Sequence, residues 1–254
     1  MRVMSEAPAV VLLHGFTNSG ASWQPVISGL GQRYRAFAPD IRGHASAAQR
    51  EPVTLDGVLA DIAATPAARF ALVGYSQGGR IALHAALALP HRASALLLIG
   101  ASPGLEDEAE RAARREADER LAERIECLSI EDFASSWAQT PVLGGVSAEV
   151  AAAAHEDRLR STPHGLAAAL RGLGTGALPP LWDRLPQLRV PVRLLVGERD
   201  VKFTAIAAQM AQRIPDAGVA VVAGAGHAVH LEQPQAVVRE LERLVPPQQP
   251  VTEA

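Results

Sequence analysis

The six residues Gly74-Tyr75-Ser76-Gln77-Gly78-Gly79 constrain this chain more than any other stretch. Before them runs Phe70-Ala71-Leu72-Val73, short and apolar. After them runs Arg80 to Leu87, rich in strong helix formers. The pattern predicts a buried strand that turns sharply into a helix with a serine at the corner, the setting of a G-x-S-x-G nucleophile elbow. Gly74 and Gly78 suit such a corner because helix and strand approach so closely that a Cβ would clash. The turn lifts the Ser76 hydroxyl out of the sheet. It also aims the Gln77 backbone N–H into the same space, where the helix N-terminus adds a positive partial charge.

The rest of the chain supplies a scaffold for that corner. Ala9-Val10-Val11-Leu12-Leu13, Tyr34 to Pro39, Ser94 to Ile99, Val190 to Gly197 and Gly218 to Val222 read as strands, several buried on both faces. Helical patterns separate them, so the fold class is α/β: a mostly parallel sheet with helices on both faces. The alternation stops between Pro103 and Trp182, where Glu106–Glu126, Ile130–Trp137, Ser147–Arg160 and Gly165–Leu173 read as helices. We expect a core at 1–102 and 183–246, a helical cap inserted at 103–182, and a Pro- and Gln-rich tail at 247–254 that frays.

Ser76, Asp200 and His227 each follow a strand, in the chain order Ser, Asp, His expected of the α/β-hydrolase fold. A histidine can take the serine proton near neutral pH. A buried carboxylate fixes its tautomer and stabilises its charged form. His230, just beyond His227, is the competing histidine. The loop after the first strand, His14-Gly15-Phe16, would supply a second oxyanion donor through the Phe16 N–H beside that of Gln77, with His14 shaping the loop by hydrogen bonding.

Composition narrows the function classes. The chain has 254 residues, 48% of them hydrophobic, and a net charge of -3, so a large core is available and nothing points to nucleic acid. Its one cysteine, Cys127, precludes an intrachain disulfide and fits a reducing compartment. The N-terminus has no long apolar run. We expect a cytoplasmic protein that acts on a small molecule and engages neither membrane nor nucleic acid, its oligomeric state open.

Several segments together resemble one family. They are Gly74 to Arg80, Ala101-Ser102-Pro103-Gly104-Leu105, Phe133 to Trp137 with Pro141, Gly165 to Gly176, Gly197 to Phe203, and Gly226-His227. The chain resembles the 2-succinyl-6-hydroxy-2,4-cyclohexadiene-1-carboxylate synthases of menaquinone biosynthesis over roughly Val10 to Leu244. The resemblance implies a lyase that eliminates pyruvate from 2-succinyl-5-enolpyruvoyl-6-hydroxy-3-cyclohexene-1-carboxylate. Ser76, His227 and Asp200 would relay a proton, and no metal or organic cofactor is implied. Arg80 stands one helical turn after Ser76. By the family's motif, Arg114 and Arg160 would join it as clamps on a polycarboxylate, although Arg158 stands close enough to exchange places with Arg160. Tyr75 and Trp137 would line the pocket, Trp137 having cap packing as its other role. The chain departs from the family at Ala138, where an aromatic is usual, and at Arg42 and Ala45, where Pro and Gly are usual. A serine hydrolase, either an esterase or a carbon–carbon bond hydrolase, is the alternative on the same triad. A catalytically silent receptor is a further one, against which an intact triad argues.

Overall fold

The computed structural model describes residues 6–140 and 144–247. Pro141 of the cap motif, and the expected tail beyond Pro247, lie outside them. Six strands, β1 (Ala9–Leu13), β2 (Arg35–Phe37), β3 (Phe70–Tyr75), β4 (Ala93–Ile99), β5 (Val192–Gly197) and β6 (Ala217–Val222), form one parallel sheet in the order β2-β1-β3-β4-β5-β6. The order reverses direction after β2, between β1 and β3. Open α/β sheets place ligands outside the carboxyl ends of strands at such a crossover.

The strand pleat divides the core in two. Val11, Leu13, Leu72, Leu96, Leu98 and Leu194 face α2 (Leu55–Ala63), α3 (Gln77–Ala88) and α8 (Val201–Arg213). Val10, Leu12, Val73, Leu97 and Leu195 face α1 (Gln24–Leu30) and α10 (Pro234–Leu244). Period-2 alternation sends successive residues to opposite faces, and both faces are covered, so β1 and β3 are buried at every position. β6 is one of the two edge strands, and its Val219 and Val221 are exposed.

Among the described residues, four α-helices lie between β4 and β5: α4 (Glu108–Glu126), α5 (Ile130–Trp137), α6 (Ala148–Arg158) and α7 (Pro163–Leu173). Each start is written in the sequence, since Asp107, Ser129, Ser147 and Thr162 accept a backbone N–H of the first turn. Together they form an all-helical insertion between the two strands. It has its own small core of Ala122, Ile125, Phe133, Leu166, Ala167 and Leu170, against which Phe16 packs. Arg171 of α7 binds Glu119 and Glu126 of α4 at 2.7–3.0 Å. Where the chain leaves the sheet and where it returns, Leu181 N–H donates to Pro103 O at 2.8 Å and Trp182 Nε1–H to Gly104 O at 3.0 Å. A four-residue helix, α9 (Val229–Glu232), follows the β6 loop and has no counterpart in the sequence reading.

Candidate active site

The site begins at the corner between β3 and α3. Ser76 has φ 51° and ψ -110°, a backbone that costs a non-glycine residue about 1–3 kcal/mol. Its surroundings impose the cost. Ser76 N–H donates to Ile99 O on β4 at 2.9 Å, and Ser76 O accepts Arg80 N–H at 3.1 Å. A Cβ on Gly78 would lie 2.2 Å from Leu13 O and 2.3 Å from His14 O, so α3 can start this close to β1 only with glycine there.

His227 follows β6, with Nε2 3.2 Å from Ser76 Oγ and Nδ1 2.6 Å from Asp200 Oδ2. Asp200 follows β5 and uses its two oxygens differently. Oδ2 takes the imidazole, while Oδ1 accepts Phe203 N–H at 3.4 Å and so caps α8. That division requires Nδ1 to carry the hydrogen, leaving Nε2 to accept from serine. The rings of Phe203 and Tyr75 flank His227 at 4.7 Å and 5.2 Å.

Two further histidines are buried nearby without access to the serine. His14 Nε2 accepts Ile41 N–H at 2.9 Å, so its Nδ1–H donates to Gly15 O at 2.9 Å, joining the loops after β1 and β2. His230 packs 4.2 Å from Tyr75 and 4.7 Å from Trp23. Burial pulls its pKa down to about 3, which makes it a neutral ring behind the site.

Phe16, Thr17, Asn18, Tyr75, Trp137, Arg158 and His227 surround Ser76 in a cleft of about 80 Å³. Phe16 meets Trp137 edge to face at 5.4 Å, so the loop after β1 and helix α5 of the insertion share one wall. Gln77 is the first residue of α3, so its N–H has no intrahelical acceptor. The Phe16 N–H has no protein acceptor among the described residues.

A second cleft, about 400 Å³, contains Arg80, Arg114, Thr175, Trp182, Lys202 and Phe203 among its walls. Because Phe203 packs on His227, the two clefts adjoin through that ring pair. Arg114 is bound to Asp118 at 2.8 Å. Arg80 is buried, its Nε has no hydrogen-bond partner, and no carboxylate among the described residues reaches ion-pair distance of it, Asp118 acting on it only from further off. Burial, then the neighbouring Arg114, lower its pKa to about 10, so it stays charged at neutral pH.

The two arginines at the end of α6 exchange the places that the family's motif implies, the alternative the sequence left open. The sequence reading put Arg160 on a helix reaching residue 160, but α6 ends at Arg158. Arg160 is 61% exposed, pairs with Asp157 at 3.7 Å and lines clefts whose walls do not include Ser76. Arg158 is buried in the serine cleft, its Nε has no hydrogen-bond partner, and no carboxylate among the described residues reaches ion-pair distance of it, Asp157 acting on it only from further off. The signal was present in the spacing. Ala154, Asp157 and Arg158 occupy one helix face at i, i+3 and i+4, which Arg160, beyond the helix end, does not share.

The family model described as "Alpha/beta hydrolase family" matches residues 10–240. The chain belongs to the alpha/beta hydrolase family. Within it, a Salmonella paratyphi C protein named 2-succinyl-6-hydroxy-2,4-cyclohexadiene-1-carboxylate synthase is 34% identical over 94% of this chain and 94% of its own. A Bacillus subtilis protein given the same name provisionally is 36% identical over 89% of this chain and 86% of its own. Identity at that coverage makes the chain a member of the synthase family. The solved structure of MenH from S. aureus superposes with a TM-score of 0.90 at 29% identity, over 95% of this chain and 94% of that one. No described helix of this hydrolase-fold chain is long and apolar enough to cross a membrane. The described residues contain no group of three His, Cys, Asp or Glu side chains suited to a metal ion.

Proposed function

We propose that this chain eliminates pyruvate from 2-succinyl-5-enolpyruvoyl-6-hydroxy-3-cyclohexene-1-carboxylate, giving 2-succinyl-6-hydroxy-2,4-cyclohexadiene-1-carboxylate in menaquinone biosynthesis. The observation that carries the reading is the pair of buried, unpartnered guanidiniums flanking the triad, Arg158 in the serine cleft and Arg80 in the adjoining one. A buried cation without a partner is expensive to keep. A substrate with three carboxylates supplies the missing anions, and guanidinium forks match their planar geometry. Arg114, Tyr75 and Trp137 complete the binding surface.

Ser76 Oγ removes the ring proton next to the succinyl carbonyl and passes its own proton to His227 Nε2, whose charge Asp200 stabilises. The Phe16 and Gln77 N–H groups receive the developing enolate oxygen. Electrons shift through the ring double bond, the ring carbon–oxygen bond breaks, and pyruvate leaves as its enolate, which takes up the proton held on His227 and restores the triad. Residues 103–182 form the lid that excludes water, and we place the reaction in the cytoplasm.

The assembled triad equally suits ester hydrolysis, as in the Thermogutta terrifontis esterase that superposes at TM-score 0.79 and 26% identity, over 93% of this chain and 88% of that one. Pyruvate release from enzymatically prepared substrate, beside p-nitrophenyl acetate cleavage, separates the two. The lyase reading expects rapid pyruvate release, reduced at least about a thousandfold in Ser76→Ala. Ester cleavage without pyruvate release replaces it with the hydrolase reading.

A further inference from the structure

Asp157 carries a carboxylate where a helix disfavours one. It lies in the last turn of α6, facing the negative end of the helix dipole, and it is buried. Its partners are not on its own helix. Oδ2 accepts Ser19 N–H at 2.9 Å, and Oδ1 accepts the Ser19 hydroxyl, across 138 residues of sequence. Ser19 is itself buried, and its oxygen also takes Ala21 N–H at 3.1 Å to start the following helical turn. Outside, Arg160 faces the same carboxylate at 3.7 Å.

Both ends of this junction run directly into the serine cleft. Ser19 closes the segment Phe16-Thr17-Asn18, which lines the cleft and contains Thr17 at φ 69°. A β-branched residue in that region is a true outlier and needs surrounding bonds to hold it there. Arg158, the residue after Asp157, lines the same cleft. We infer that the Ser19–Asp157 junction is a positioning latch, which holds the loop carrying the Phe16 N–H and the helix end carrying Arg158 in one register. Asp157 is thus a positioning residue for oxyanion donor and carboxylate clamp together. The inference rests on the site reading of Phe16 and Arg158.

The test uses the full chain and compares Asp157→Ala, Asp157→Asn and Ser19→Ala with Ser161→Ala. Ser161 Oγ accepts Ala45 N–H at 3.1 Å and fastens the same insertion to the core without lining the cleft. Asp157→Ala should raise KM and lower kcat, together costing about 30- to 100-fold in kcat/KM. Asn, which keeps one acceptor, should restore part of both, and Ser161→Ala should leave both unchanged. In an Arg158→Ala background the KM effect of Asp157→Ala should vanish, because the group it positions is gone. Additive KM effects, or a lowered melting temperature with intact kinetics, overturn the latch. Should the wild-type chain release no pyruvate, the substrate reading fails by itself and amide exchange judges the latch. Asp157→Ala must then speed exchange at residues 16–19 at least about tenfold while sparing β3, and unchanged exchange at 16–19 overturns it.

Discussion

Arg80 shows a single side chain held against its own stability. It sits on α3 one turn beyond Ser76, buried, charged and unpartnered among the described residues. Replacing a buried charge by an apolar side chain of similar length removes a desolvation cost. Arg80→Met should therefore raise the melting temperature of the unliganded protein, by about 1 kcal/mol or more of unfolding free energy. The same change should lower kcat/KM for the polycarboxylate by about 30-fold or more, the loss of a charge-assisted contact. Thermal unfolding and pyruvate release, measured on one preparation, test both signs. A stability loss with unchanged turnover would make Arg80 a packing residue. Arg158→Met should behave alike, whereas Arg160→Met, at an exposed position outside the walls of the serine cleft, should change neither by more than twofold.

The elbow is the element that sets positions for everything else. β3 is buried throughout, α3 starts at once, and the two meet β1 at contact distance. Adding one methyl at Gly78 drives it into the Leu13 and His14 carbonyls, at the end of a central strand and just beyond it. Gly78→Ala should cost about 3 kcal/mol in a urea titration and move Ser76 off His227, so that activity falls even in the fraction that stays folded. Native-like stability in that variant would mean that α3 can retreat from β1. Asp200 is a second element-level case. The same carboxylate starts α8 and holds His227, so helix formation and imidazole orientation are coupled through one side chain.

Across the whole molecule, buried histidines tie stability to pH. Burial, as the largest cause at each, lowers His44 and His230 to about 3 and His84 to about 4. An unfolded histidine titrates near 6.5, so below that pH the unfolded chain binds protons that the folded one refuses. These histidines impose no loss above about pH 6.5. Below it each removes about 1.4 kcal/mol of stability per pH unit, until the pH approaches its own folded value. Urea titrations between pH 7.5 and 5 should show stability falling steeply in the acid half. A flat profile would mean that these rings take up protons without unfolding.

Local chemistry by itself determined most of this protein. Short-range signals marked the elbow, the strands and the inserted helices, because turn glycines, capping side chains and runs of buried aliphatic residues act within a few positions of where they stand. The chain order of Ser76, Asp200 and His227 at strand ends was legible for the same reason. What lay beyond the sequence depends on where separate elements meet. Asp157 reads as one more acid on a charged helix until the fold brings Ser19 to it. The choice between Arg158 and Arg160 turned on a helix ending two residues earlier than its composition suggested. That Arg80 has no partner is a property of everything packed around it. Which charges are left unpaired, and which loops are locked together, only tertiary structure decided, because burial and pairing arise between residues far apart in the chain.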